Sequence, residues 1–513
     1  MKKTIFLIGL FACRQLYAQL PEDALRSSWT TPSGTAREQA IGGAMGSLGG
    51  EISAGFVNPA GLGLYRTSEF VISPGFHFLT DKANYRGTGS PGNTESNFNL
   101  GTSGLVLSYP GHSGSNNVFA IAVNRTATFN SNIHYQGQNN YSSFAEQYAE
   151  EFAASGLGID EAIASPSLSY GTRMALYTYL IDTATVNGNL QVIAQPQKAG
   201  LLNQDNTIRS KGGITEIAFS LATKIHRKWY IGGSLGIPIL SYTRYQTYHE
   251  SDATGNTNND FDYFTYQETY TTKGFGFNAK LGVLFQPVAA WRFGLALHTP
   301  TIFGLTDKIS ASMVANTENY TVHHTLSISS DSLDQLTGIS PANTINYNLY
   351  TPWKFLVSAS YVFGAGSADT RQQKGFVTGD LEYVTTGTPR YQSADNSSDA
   401  NGYFDQVNQS IKDSYKGSLG ARLGGEMKFN LLMARAGIAY YSTPYKDSEL
   451  KADRLFLSAG TGFRNKGFFV DLTYVMGFSR DVNFPYRLSD KANTAATLKE
   501  TGGTVLLTAG LKF

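Results

Sequence analysis

The feature that most narrows what this chain can fold into is an alternation of apolar and polar residues with period two. At the C-terminus, Val505, Leu507, Ala509, Leu511 and Phe513 fall on one face, and Thr504, Thr508, Gly510 and Lys512 fall on the other. Successive side chains of a strand point to opposite faces, so this is a strand with one apolar side. Residues 468–479 repeat it, with Phe468, Val470, Leu472, Tyr474, Met476 and Phe478 opposing Asp471, Thr473, Gly477 and Ser479. So do 354–364 and 274–286.

The polar face sets the fold class. In a soluble sandwich the apolar face looks inward and the outer face is richly charged. Here the polar face is made of Gly, Ser and Thr with isolated charges: Glu216, Lys280, His298, Lys354, Asp380, Glu382, Arg422, Glu426, Arg435 and Asp471. The apolar face carries essentially no charge, as hydrocarbon demands, since a charge near its midplane costs about 2–4 kcal/mol. Composition agrees: 54 Gly, 31 Phe and 30 Tyr stand beside only 15% charged residues, where soluble chains carry about 25%. A net charge of +1 provides no basic field to capture phosphates, which argues against a nucleic-acid partner.

Candidate strands fall at 68–80, 98–109, 117–130, 213–227, 229–248, 265–287, 290–301, 350–364, 374–386, 414–428, 431–442, 454–465, 467–479 and 502–513. That makes about fourteen, an even number, as single-chain barrels have. Short connections alternate with long ones. The short ones (110–116, 226–228, 287–290, 429–430, 464–466, with 365–373 intermediate) suit periplasmic turns. The long ones (81–97, 131–212, 249–264, 302–349, 387–413, 443–453, 480–501) suit an outer surface. The expectation is an all-β transmembrane antiparallel barrel at 67–513, with large extracellular loops at 131–212 and 302–349.

Residues 1–18 read as a cleaved secretory signal. Lys2 and Lys3 precede a short apolar core, and Leu16-Tyr17-Ala18 ends in a small residue. The only cysteine, Cys13, lies inside it, so the mature chain has no thiol chemistry. A lipobox at Leu10-Phe11-Ala12-Cys13 is the rival reading, in which Phe11 fits poorly. No later stretch approaches the roughly 18 apolar residues of a membrane helix. Residues 19–66 are polar and glycine-rich, too short for a core of their own, and placed to fold back into the lumen as a plug. In 143–154, Phe144, Tyr148, Glu151 and Phe152 have helical spacing, which predicts a short amphipathic helix over the barrel mouth.

Two runs carry a family likeness. Ala36-Arg37-Glu38-Gln39-Ala40-Ile41-Gly42-Gly43-Ala44-Met45-Gly46 leads into Phe56-Val57-Asn58-Pro59-Ala60-Gly61-Leu62. This resembles the N-terminal plug of the FadL-type long-chain fatty-acid transporters of the outer membrane, which include toluene-uptake relatives. It looks closer still to the Bacteroidetes branch labelled outer-membrane transport protein or hemin receptor. Leu297-His298-Thr299-Pro300, Tyr350-Thr351-Pro352-Trp353-Lys354-Phe355 and Asp380-Leu381-Glu382-Tyr383-Val384 match that branch too. The resemblance implies a fourteen-stranded barrel, an N-terminal plug, passive uptake of hydrophobic small molecules, and a sideways exit at a break in the third strand. In that strand Phe119, Ile121 and Val123 are followed by Arg125 on the same face. Parity therefore breaks near Asn124-Arg125, either as a bulge beside a lateral opening or because the strand has left the membrane.

Other motifs are weaker. Gly232-Gly233-Ser234-Leu235-Gly236 fits the nucleophile-elbow pattern, but Ile237-Pro238-Ile239-Leu240 continues as strand rather than helix. Gly43, Gly46 and Gly49 lack the βαβ unit of a phosphate cradle and suit a tightly packed plug. His77, His134, His249 and the adjacent His323-His324 have no metal-site spacing; His298, on the lumen face, is the histidine of interest. Lys280, Lys354, Arg422 and Arg435 could hold a carboxylate or pair with Asp380, Glu382, Glu426 and Asp471. The reading is thus a non-enzymatic channel without cofactor or metal that passes a hydrophobic or amphipathic small molecule such as a long-chain fatty acid. The plug residues Asn58, Pro59, Ala60 and Gly61 would gate it, and His298, Lys280, Lys354, Arg422 and Arg435 would be its candidate ligand contacts. Expected partners are outer-membrane lipid and lipopolysaccharide, and the barrel-assembly machinery; the expected state is a monomer. The rivals are a heme receptor, a non-transporting adhesin or assembly factor using the outer loops, and a lipid enzyme, for which Ser234 is the nearest nucleophile.

Overall fold

The computed structural model describes residues 21–29, 32–110, 116–186, 188–226, 228–339, 343–365, 373–394 and 398–513. The expected signal at 1–18, the turn at 111–115 and most of the 365–373 link lie outside them. Alternation yields strands wherever it was read, and every neighbouring pair is antiparallel.

In chain order the wall consists of β1 (Glu69–Ile72 and Pro74–Tyr85), β2 (Thr88–Leu100 and Ser103–Pro110), β3 (Asn116–Thr128, extended by Ser131–Asn139), β4 (Leu202–His226), β5 (Trp229–Asp252) and β6 (Tyr263–Phe285). It continues through β7 (Trp291–His298 and Ile302–Asn316), β8 (Thr344–Tyr350 and Lys354–Phe363), β9 (Gly375–Val384 and Arg390–Ser393) and β10 (Ser418–Phe429). It ends with β11 (Leu432–Tyr441), β12 (Arg454–Asn465), β13 (Phe468–Asn483) and β14 (Ala496–Lys512). Each pairs with the next, and β14 returns to β1 through Glu69↔Lys512, Phe70↔Leu511 and Gly75↔Leu506, closing a fourteen-stranded barrel.

The apolar face of the alternation is the outside of this wall. Phe513 is 69% exposed, Phe355 46%, Phe363 42% and Phe478 38%. These rings do not meet in a central core; they form a continuous apolar belt that lipid satisfies and water would not. Packed rings mark its lower edge near the short turns: Trp229 stacked on Phe285 (4.4 Å between centroids), and Trp291 edge-on to Tyr361 (5.0 Å) and stacked with Phe293 (5.9 Å). That is the position of an interfacial aromatic girdle.

Above the belt the wall continues where loops were expected. β4, β5 and β6 are 25, 24 and 23 residues long, more than twice the roughly 9–11 a tilted span needs. Segments 81–97, 249–264 and 302–349 hold much strand, including the outer parts of β1, β2 and β7. Once they clear the bilayer their outer face turns polar while Tyr242, Tyr248, Phe264, Tyr270, Phe303 and Met313 are buried on the inner side, so the lipid-facing hydropathy signal ends while the pairing does not. The expected mouth helix is α4 (Glu146–Ser155), joined by α5 (Ile159–Ile163), α6 (Tyr170–Tyr177), α7 (Ser330–Thr337) and α8 (Ser398–Ser414). Counting them from α4 leaves α1 (Pro21–Ser28), α2 (Ala36–Ala40) and α3 (Ala54–Val57) for the N-terminal segment, which ends in a 3-10 turn, Pro59–Leu64, and lies inside the barrel.

Candidate functional site

The lumen is built from the plug upward. Asn58 is fully buried; its Nδ2 donates to Gly46 O at 2.6 Å and to Val283 O of β6 at 3.3 Å, while its Oδ1 accepts from Ala60 N at 3.2 Å. One side chain thus ties two plug segments to the wall and caps the turn that Pro59 opens. The wall answers with glycine. A Cβ at Gly232 would meet the Pro59 carbonyl at 2.5 Å, one at Gly282 the Asn58 side chain at 1.9 Å, and one at Gly294 Gly46 O at 2.2 Å. Gly232, on β5, is the residue that made the sequence resemble a nucleophile elbow. Ser234 shares the setting: its Oγ lies 2.6 Å from Ser220 Oγ and donates to Gly55 O at 2.8 Å. Gly46, from the would-be phosphate cradle, donates its N–H to Asp380 at 3.1 Å.

The inward cations expected to meet a ligand are mostly engaged. Lys280 pairs with Glu216; Arg422 reaches Glu382 at 3.0 Å and Asp380 at 3.7 Å; Arg435 reaches Glu426 at 2.7 Å and Asp471 at 2.6 Å. His298 Nε2 sits 2.8 Å from Val57 O, so it holds the plug. Among the described residues Lys354 alone of this set has no hydrogen-bonded or ion-pair partner. It lines a chamber of about 150 Å³ between plug and wall with Lys280, His298, Glu382 and Arg422. Buried polar atoms of Glu38, Gln39, Asn124 and Arg422, all lining that chamber, also lack a partner.

Above the chamber lies a larger cavity of about 860 Å³ whose lining residues are not among the ligand contacts expected from the sequence. Its walls are aromatic and aliphatic, including Phe129, Tyr242, Tyr266, Tyr445, Phe456 and Val475. Two of its charged pairs are matched, Arg26 to Asp23 at 2.6 Å and Arg244 to Glu268 at 2.6 Å, and Arg454, Arg480, Asp481 and Glu500 line it as well. The helix α1 crosses it as a strap. The Arg26 guanidinium stacks 3.6 Å from the Tyr242 ring on β5, and Trp29 lies beneath Arg454 of β12 at 4.4 Å. Trp29 and Pro32 line both cavities. The lid over the mouth is α4 and α6, packed through Phe144, which stacks on Tyr248 at 4.0 Å. The legible clue to this cavity was the placement of Arg244 and Glu268 beside inward tyrosines on long strands.

The wall is interrupted at one side. The β2–β3 ladder runs from Pro110↔Asn116 to Ser103↔Val123; beyond it no ladder among the described residues joins the outer part of β2 to β3, and side chains bridge the two higher up, Asn132 Nδ2 donating to Glu95 at 3.2 Å. At this break the plug supplies a bond, Thr102 N–H to Gly34 O at 3.1 Å. The expected parity break is here too. Register shifts between Arg125 and Ala127, a bulge at Thr126. Asn124 faces the lumen, donating to Ser33 Oγ at 3.2 Å, while Arg125 reaches Thr215 at 3.2 Å. Asn99, Thr128, Phe129 and Asn130 beside the gap also line the upper cavity.

The remaining histidines stay scattered: His77 bonds Thr504 at 2.9 Å, His134 bonds Asp205 at 2.8 Å and His249 bonds Thr265 at 2.9 Å. Among the described residues no group of three His, Cys, Asp or Glu is placed to hold a metal.

No protein-family model matches the sequence, and no curated protein matches it. Solved structures do share the fold. A FadL homologue of Pseudomonas aeruginosa is 12% identical, over 95% of this chain and 100% of that one, with a TM-score of 0.55. The Pseudomonas putida toluene transporter TodX is 11% identical, over 95% and 99%, with a TM-score of 0.50. The barrel therefore has the FadL-like architecture.

Proposed function

We propose that this chain is an outer-membrane channel for the passive entry of hydrophobic or amphipathic small molecules, long-chain fatty acids among them. The observation that carries the reading is the aromatic-lined upper cavity standing above a plug and beside a gap in an otherwise closed wall. Such a cavity buries an apolar ligand against aromatic and aliphatic walls, and the fold is shared with a toluene transporter. In this reading the chain is exported by its N-terminal signal, acts as a monomer, and folds into a membrane of phospholipid and lipopolysaccharide with the help of barrel-assembly machinery.

The ligand enters under the α4 lid, rests in the upper cavity, and leaves sideways between β2 and β3. The gap starts about nine residues up β3 from its short turn, at the loop-side edge of a span, with Asn124 and Arg125 as its lower rim. The plug closes the direct path, held by Asn58, Pro59, Ala60 and Gly61. Of the five candidate contacts, Lys354 is the one free to meet a ligand carboxylate, with the chamber large enough only for a head group; His298, Lys280, Arg422 and Arg435 position plug and wall. A heme reading draws little from the site, because His298 is committed to Val57.

Native mass spectrometry of the purified protein with its co-extracted small molecules tests the proposal. A hydrophobic or amphipathic adduct, lost in Val475→Trp, is the expected result. No adduct, together with unchanged spectra on adding oleate or toluene, removes the reading.

A further inference from the structure

Gly233 of β5 is an outward glycine with no internal reason to be one. It does not have positive φ, and a Cβ there would meet nothing nearer than 3.6 Å. Its inward neighbour Gly232, like Gly282 and Gly294, is required by the plug; Gly233 is not. A glycine inside a strand weakens it, so the notch that its missing side chain leaves is the feature to explain.

That notch is the floor of a hollow of about 1070 Å³ on the outer wall. The register places Phe119, Leu221, Gly233, Leu281, Leu297 and Phe355 in one row across β3 to β8. Below it runs a second row: Tyr109, Asn117 and Thr223, then Ile231, Val283 and Leu295. Leu221, Leu281 and Leu295 stand 64, 58 and 58% exposed as ridges around the empty position. The second row is amphiphilic along its length. Its polar end lies at the short-turn edge of the belt, where Thr223 donates to Asn117 Oδ1 at 2.7 Å, leaving the Asn117 amide N–H and the Tyr109 hydroxyl to face outward. Because barrel strands tilt, a row of paired residues climbs as it crosses them, and this one rises from the membrane edge into the hydrocarbon.

We propose that the hollow is a binding site for a diacyl phospholipid of the leaflet at the short-turn end. The head-group and glycerol oxygens meet Tyr109, Asn117 and Thr223, and an acyl chain climbs over Gly233 between the leucine ridges. The groove is continuous with the lipid-facing belt, and its polar-to-apolar order matches a phospholipid entering from that edge. A phospholipid alone supplies, in one molecule, head-group oxygens for the Asn117 amide and an acyl chain for the leucine ridges.

The test uses the full-length protein in vesicles of phosphatidylethanolamine and phosphatidylglycerol containing phosphatidylethanolamine with a photoactivatable acyl chain, the labelled residues being mapped after irradiation. Labelling concentrated on Leu221, Leu281 and Leu295, above Leu423 and Leu457 on the far wall, is expected. Gly233→Leu, which fills the notch, should lower it about tenfold, and Asn117→Leu should lower it with the notch intact, so that misfolding of one variant does not decide the matter. Even labelling around the barrel, or cross-links between two copies in place of lipid, overturns the proposal. Ligand uptake is unchanged in Gly233→Leu, so failure here is separable from failure of the transport reading.

Discussion

At the scale of single residues, the plug hangs on a few buried polar groups whose loss has a definite cost. Asn58 holds two backbone carbonyls and one N–H at once, and a buried group left without its partner costs about 1–3 kcal/mol. Asn58→Ala should therefore speed hydrogen exchange of the Gly46 to Leu62 amides while leaving barrel melting almost unmoved; equal protection would show that the side chain does not pin the plug. Lys354 gives a chemically selective prediction. Lys354→Gln should weaken binding of a fatty acid by about tenfold, the scale of one charge-assisted hydrogen bond, and leave toluene binding unchanged, as read by calorimetry. A loss of both would mean the residue acts on structure alone. These residues were legible to different degrees. Asn58 and Pro59 stand out in the chain because their local bonding rules are local. The partners of Lys280, Arg422 and Arg435 were foreseeable only as a class, since each pairing crosses strands or reaches into the plug. The Trp29–Arg454 and Arg26–Tyr242 contacts were not legible, because nothing in an eight-residue helix says which wall it will lie against.

At the scale of elements, the proposed gating rests on the lid. Glu250 lies about twenty residues beyond Trp229 on β5, well past a tilted span, and its carboxylate accepts from the Ser143 hydroxyl and Phe144 N–H on the lid side and from the Gln204 amide on β4. Burial outweighs those bonds and pushes its pKa up to about 7 from 4.5. A raised carboxyl pKa means that the folded cap holds a proton the open one releases. The contribution is fully present below about pH 4.5, falls as pH climbs to about 7, and amounts to on the order of 3 kcal/mol. Exchange of the Ser143–Ser155 amides, corrected for intrinsic rates, should thus show a tighter lid at pH 5 than at pH 8, and a flat profile in Glu250→Gln. The opposite slope would contradict the assignment. The α4 helix itself was readable from Phe144, Tyr148 and Phe152; the tall wall around it was not, because strands above the bilayer lose the outward apolar face that marks them.

For the whole molecule, the decisive property is that the greasy side of each strand faces outward while the sparse charges pair inside around a plug. Strand number, order and closure followed from alternation because hydrocarbon allows no exceptions along the belt. The cavity above the plug did not follow, since its volume depends on how far α1 and the lid intrude. Deleting residues 19–60 removes strap and plug together, and should raise entry of small hydrophobic dyes into vesicles; unchanged entry would remove the gating role. The most direct measurement is oleate transfer into vesicles carrying the wild-type protein or Val475→Trp, which fills the upper cavity. The account predicts transfer well above protein-free vesicles for the wild type and a return to that baseline for the variant. Equal transfer by both would mean that no ligand passes through this cavity.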